Sequence, residues 1–114
     1  SATGNPYSDP SDYYVIGLNA GDTYRFSLVF AGVNANPADA SMQVYIFDGP
    51  ANTHLKCYSD ETQGLTNAIF RYTPPSTGNY WVLVLTNSNA GNNTVRYGLD
   101  ISLGSAEKVC HPYP

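Results

Sequence analysis

Asp12-Tyr13-Tyr14-Val15-Ile16-Gly17-Leu18-Asn19-Ala20-Gly21-Asp22-Thr23-Tyr24-Arg25-Phe26-Ser27-Leu28-Val29-Phe30 decides the fold class of this chain. Tyr14, Ile16 and Leu18 share one parity, Asn19 to Asp22 turns the chain, and Tyr24, Phe26, Leu28 and Phe30 resume the alternation. A period of two is that of a strand with one face buried. The stretch therefore reads as a β-hairpin-like opening.

The same reading extends to both sides. Residues 1–11, with Gly4, Pro6 and Pro10 among small polar residues, read as a linker to something N-terminal, and residues 12–114 as a single domain with a tail at 104–114. After the opening, Ala31 to Asp39 is rich in turn formers and leads to a third strand at Met42 to Phe47, stopped by Asp48-Gly49-Pro50-Ala51-Asn52. A short strand at His54 to Tyr58 and a polar loop at Ser59 to Gly64 follow. In Ala68 to Tyr72, Ile69 and Arg71 fall on one side and Phe70 and Tyr72 on the other.

Pro74-Pro75-Ser76-Thr77-Gly78-Asn79 makes a rigid turn, because proline fixes φ and glycine supplies the conformations tight turns need. Tyr80 to Leu85 is a continuous apolar run, which predicts a central strand with both faces covered or one face adhesive. Asn87 to Asn93 reads as a loop. Val95 to Leu103 closes the sheet, with Tyr97, Leu99, Ile101 and Leu103 in alternation. No segment has helical period. The fold class is all-β: an antiparallel β-sandwich, jelly-roll-like, with seven or eight strands and little or no helix.

Composition bounds function. The chain has 114 residues, one domain's worth, and is 42% hydrophobic but only 12% charged, against about 25% charged residues in ordinary domains. Solubility then rests on Ser, Thr, Asn and Tyr, as in extracellular domains that work in salt or against solids. The net charge of -4, with Arg25, Lys56, Arg71, Arg96 and Lys108 scattered, argues against nucleic acid and anionic membrane as partners. No stretch approaches the ~18 apolar residues of a membrane span, and Ser1 to Pro6 lacks the features of a secretion signal. The chain reads as a mature or excised piece.

Cys57 and Cys110 are the only cysteines and lack the short paired spacing of a zinc site. They read as a disulfide tying the tail to the middle of the domain, which implies an oxidising, extracellular setting. Two separate thiols in a reducing compartment are the alternative, and a mass change on reduction separates the two. His54 and His111 have no recognisable nucleophile or orienting partner beside them and read as surface residues. No nucleophile elbow, His-Glu-x-x-His or phosphate-cradling glycine loop is present. Asn92-Asn93-Thr94 fits a glycosylation acceptor in a loop.

Four segments, in order, resemble the bacterial pre-peptidase C-terminal domain family, which includes the collagen-binding domains of clostridial collagenases. They are Asp12-Tyr13-Tyr14 through Ala20-Gly21-Asp22; Met42-Gln43-Val44-Tyr45-Ile46-Phe47-Asp48; Tyr72 through Gly78-Asn79-Tyr80-Trp81 to Val84; and Tyr97-Gly98-Leu99-Asp100-Ile101. The resemblance spans about Asp12 to Leu103. It implies a non-catalytic appendage of a secreted hydrolase, most often a peptidase, with a catalytic domain N-terminal to it, that is removed on maturation or helps hold insoluble substrate. Many members carry acidic residues where this chain has Ser41 and Gln43, and collagen-binding members place tyrosines where it has Leu85 and Asn87. Those departures remove residues that would carry collagen affinity. Asp9 and Asp12 resemble half of a calcium site found in some members, but the acidic upstream half is missing from Ser1 to Ser8. Calcium wants six to eight oxygens, so turn capping by these side chains is the competing reading. No other cofactor is implied.

The aromatic residues are the candidate binding groups. Neighbours on a strand point to opposite faces, so Tyr13 and Tyr14, Tyr45 and Phe47 against Val44 and Ile46, and Tyr80 and Trp81 cannot all enter one core. Tyr45, Phe47 and either Trp81 or Tyr80 are the expected binding surface, for insoluble protein or, on a carbohydrate-binding module of a glycoside hydrolase, for polysaccharide. Exposed rings stack on sugar faces, prolines and peptide planes. The bland alternative is that tyrosine hydroxyls merely wet an apolar sheet face, in an escort domain with no ligand.

Overall fold

The computed structural model describes residues 2–4, 11–33, 40–59, 62–63, 68–88 and 95–113. Within them the protein is all-β, with no helix. The strands are β1 (Ala2–Gly4), β2 (Ser11–Leu18), β3 (Tyr24–Val33), β4 (Ala40–Gly49), β5 (Thr53–Tyr58), β6 (Thr62–Gln63), β7 (Ala68–Tyr72), β8 (Gly78–Ser88), β9 (Val95–Leu103) and β10 (His111–Pro112). Seven of these have five residues or more, which matches the expected count of full strands. They form two antiparallel sheets, one of four strands in the order β1-β9-β3-β7 and one of six in the order β10-β5-β4-β8-β2, with β6 beside β4.

The core lies between the sheets. Tyr24, Phe26, Leu28, Phe70, Tyr72 and Tyr97 enter it from the four-stranded sheet, and Leu18, Val44, Ile46, Tyr80, Val82 and Val84 from the other. Phe26 and Phe70, directly opposite in register, stack at 5.1 Å between ring centroids. Each such fully buried side chain contributes about 1.5–3 kcal/mol. Across the layers, the Tyr14 and Tyr97 hydroxyls meet at 3.1 Å.

The opening segment differs from its expected form. β2 pairs with β8 and β3 with β7 and β9, so β2 and β3 lie in different sheets and Asn19 to Thr23 is an arch between the layers, not a hairpin turn. The alternation survives because an arch buries the same residues as a hairpin, now on facing sheets. Gly21 takes φ +81°, a conformation favouring glycine. The arch docks on the proline turn: Gly21 N–H donates to the Pro74 carbonyl at 3.1 Å and Ala20 N–H to Thr77 Oγ1 at 2.8 Å.

Two short segments also depart from expectation. Ala2–Gly4, inside the stretch read as a linker, pairs with β9 from Ala2↔Tyr97 to Gly4↔Val95. Thr62–Gln63, inside the stretch read as a loop, pairs with Met42 and Ser41. Neither has the length for alternation to be visible. Asp9 and the Asn92-Asn93-Thr94 acceptor lie outside the described residues.

The C-terminal tail is a strap along one side of the sandwich. Leaving β9, it runs parallel to β7, where Arg71 N–H donates to the Lys108 carbonyl and Cys110 N–H to the Arg71 carbonyl, both at 2.9 Å. It then crosses to the six-stranded sheet, where β10 pairs with β5 and Tyr113 N–H donates to the Lys56 carbonyl at 2.9 Å. The disulfide Cys57–Cys110, with a Cα–Cα distance of 5.6 Å, rivets this crossing in a buried position. Arg25 and Arg71 sit directly opposite each other. The Arg71 guanidinium turns away to donate to the Ala106 and Glu107 carbonyls of the strap, which relieves that repulsion.

Tyr72 carries a testable cost. Its hydroxyl is buried without a hydrogen-bond partner among the described residues. Burial first, then the nearby Tyr80 and Asp48, push its phenol well above the ordinary tyrosine range. The folded chain therefore keeps this proton above pH ~10, where the unfolded chain loses it. Its effect on stability is nil below pH ~10 and grows more unfavourable above it, by at most about 1.4 kcal/mol per pH unit. Tyr72→Phe is expected to flatten that alkaline loss and to raise stability at pH 7 by about 1 kcal/mol, the scale of a buried unpaired hydroxyl. Urea midpoints at pH 7 and pH 11 measure both; a lower midpoint for the variant at pH 7 would mean that the hydroxyl is bonded.

Candidate functional site

The two outer faces of the sandwich differ in chemistry. The four-stranded sheet carries charge on its outer parity, with Arg25, Arg71, Asp100 and Ser102 beside the apolar Val29 and Ile69. The six-stranded sheet presents rings. β8 is an interior strand, between β4 and the β2 edge, and splits its apolar run: Tyr80, Val82 and Val84 enter the core while Trp81, Leu83 and Leu85 face outward. The apolar run is thus a core strand whose other face carries Trp81, Leu83 and Leu85.

Register aligns the outward groups in rows perpendicular to the strands. One row crosses five strands, His111↔Tyr58↔Tyr45↔Leu83↔Tyr13. At ~4.8 Å per strand it is about 19 Å long. The second row is Leu55↔Phe47↔Trp81↔Val15. His111 and Tyr58 have ring centroids 5.6 Å apart, and Tyr58 and Tyr45 6.2 Å, both tilted pairs. Tyr13 is 49% and Val15 57% exposed, whereas Leu83 and Phe47 are buried among their neighbours on the face. None of these outward residues is Asp, Glu, Lys or Arg.

The β4–β5 turn closes one end of the face. Ala51 and Asn52 take φ of +56° and +59°, which for alanine costs about 1–2 kcal/mol. Gly49 is required there, since a Cβ would stand 2.3 Å from Thr53 Oγ1. The turn is held by the Tyr13 hydroxyl donating to Asn52 Oδ1. Because β8 lies between β2 and β4, that bond spans β8 on its outer side. Beside the turn, Asp48 receives His54 Nδ1 at 3.0 Å and Lys56 Nζ at 3.1 Å. Lys56 is the extra residue where the β4–β5 register shifts.

The expected site residues thus separate. Tyr45, Phe47 and Trp81 share the outer face, and Tyr80 does not join them. Tyr80 is 1% exposed, its hydroxyl donating to the Ser76 carbonyl at 2.6 Å and its ring edge-on to Tyr72. Alternation forces this, because one of two adjacent residues must face inward. Sequence reasoning missed Tyr58, His111 and Tyr13 as members. Tyr58 depends on the β4–β5 bulge and His111 on the strap, so only the Tyr13 and Tyr14 pair carried a readable signal.

For the calcium expectation, Asp12 lies in β2 opposite Val84, with its side chain outside the described set. Among the described residues no three His, Cys, Asp or Glu gather as a metal group. A groove of about 350 Å³ lies along the strap, between Tyr72, Pro75, Val109 and the disulfide. Its polar groups are engaged or sealed: Lys56 binds Asp48, Arg71 binds the strap carbonyls, and the Tyr72 hydroxyl is inaccessible. Compared with known proteins, the chain matches no family model and no curated sequence. No described helix is long and apolar enough to cross a membrane.

Proposed function

We propose that this protein is a non-catalytic accessory domain of a secreted hydrolase, a peptidase by the family it resembles, and that it holds the enzyme on insoluble protein. The observation that supports this is the uncharged ring-lined outer face of the six-stranded sheet, set against a ring-free face bearing Arg25, Arg71 and Asp100 on the other sheet. Rings immobilised on a sheet lose little entropy on contact, so each one buried against a partner adds affinity at small cost. The Cys57–Cys110 disulfide is consistent with an extracellular location.

Adsorption to particles of collagen, keratin or casein tests the reading. Trp81→Ala with Tyr45→Ala is expected to weaken adsorption at least tenfold, because two stacked rings supply on the order of 2 kcal/mol. If the intact domain adsorbs to none of these solids, the tethering role is wrong.

A specific observation favours a second reading. The rows are bordered by amides, Gln43 on β4 and Asn79 on β8, and lack charge, a combination suited to a neutral polysaccharide on a glycoside hydrolase. Affinity electrophoresis in soluble polysaccharides separates the two readings, retardation that disappears in the double variant favouring the sugar platform.

A further inference from the structure

The sandwich protects its sheet edges unequally. Among the described residues three of the four outermost strands are short or covered, β10 with two residues, β1 with three and β7 under the strap at the Arg71↔Val109 bridge, although β1 and β10 leave the shorter stretches 98–103 of β9 and 53–56 of β5 without a strand beside them. The fourth is β2. Its eight residues pair with β8 in unbroken register from Ser11↔Leu85 to Leu18↔Gly78, and no described strand takes its other side. An edge strand presents a row of N–H and C=O groups, and proteins normally guard one with Lys, Pro, a bulge or a covering segment. Ser11–Leu18 has no Lys, Arg or Pro and no bulge, and its one charge is Asp12 near its start.

The side chains of β2 are also under-covered on both faces. Tyr13 and Val15 are 49% and 57% exposed, and Tyr14 and Ile16, though packed on the core, are only partly buried. One further strand would cover both sets.

We propose that β2 accepts an extended segment of a partner polypeptide as an added strand. This rests on the reading that the partner is protein, and assigns that partner's backbone to the β2 edge beside the ring rows. A second copy of the chain is a poorer occupant, for two reasons. An eight-residue edge buries far less than the ~800 Å² per partner of a stable interface, and the chain carries a net charge of -4. The same charge selects the segment. Asp12 lies near the start of the edge and Asp22 in the arch beyond its end, with no Lys or Arg between them, so an apolar stretch flanked by basic residues fits.

A ten-residue peptide of alternating Thr and Val with Lys at each end is the probe, read by amide hydrogen exchange. The expected result is new protection at alternate residues of β2, the edge-facing amides, with none in the four-stranded sheet. A side-chain contact would not produce that alternation. Val15→Lys, at an exposed position where the fold tolerates it, is expected to weaken the peptide at least tenfold with the core exchange pattern unchanged, and Trp81→Ala to leave the peptide bound. Absence of protection at millimolar peptide, protection indifferent to Val15→Lys, or β2 protection without peptide in a dimeric species would each overturn the proposal. Because particle adsorption is read through Trp81 and strand addition through Val15, either can fail alone.

Discussion

Tyr80→Ala is expected to remove about 3–5 kcal/mol of stability, the cost of deleting a fully buried aromatic ring, and to leave adsorption per folded molecule unchanged. Trp81→Ala, one residue on, is expected to do the reverse: a smaller loss of stability and a large loss of adsorption. The contrast arises because Tyr80 sits between the layers at 1% exposure against Tyr72, whereas Trp81 lies in the outer row between Phe47 and Val15. Urea midpoints and particle binding on the same preparations measure both effects. Tyr80→Phe is the companion variant, keeping the ring and losing only the hydroxyl's bonds to Ser76, worth about 1 kcal/mol. Should Tyr80→Phe cut adsorption while Trp81→Ala does not, the ring face is not the binding surface.

Much of the layer structure could be read from alternation. Ala68–Tyr72 and Val95–Leu103 fall at the expected boundaries, and Phe70 and Tyr72 take the opposite side from Ile69 and Arg71 as expected, the structure adding that the Phe70 side is the core. What alternation cannot reveal is the partner of a strand. Tyr14, Ile16 and Leu18 are turned inward whether β2 folds back on β3 or arches to the opposite sheet, so a hairpin and an arch give one pattern. The difference lies in the bonds of Ala20 and Gly21 to the proline turn, more than fifty residues away in sequence. The site was half legible for the same reason. Tyr45 and Phe47 share a parity on one strand, but the choice between Tyr80 and Trp81 needs the core side of β8. Tyr58 and His111 reach the row only through a bulge and a riveted tail.

That rivet carries the second large effect. Replacing Cys57 and Cys110 together by serine is expected to cost about 4 kcal/mol, since a cross-link 53 residues apart in sequence removes that much loop-closure entropy from the unfolded chain. The loss is shared between global and local opening. Without the bond, the strap is held by the Arg71–Lys108, Cys110–Arg71 and Tyr113–Lys56 backbone contacts, the Arg71 guanidinium on the Ala106 and Glu107 carbonyls and the short β10 pairing, contacts that net only about 1 kcal/mol each. Residues 105–113 are therefore expected to lose amide protection before the core strands do. His111 would leave the end of the five-strand row with them, while Trp81, three strands away, keeps its place. Hydrogen exchange on the double variant separates these stages, and adsorption measured alongside tells how far the row extends as a binding surface. Partial loss of binding with the core intact means that the partner reaches Tyr58 and His111; full retention confines it to the Trp81 side. A stability change below about 1 kcal/mol, with residues 105–113 still protected, would show that the strap is held by its backbone pairing and that the disulfide is not its anchor.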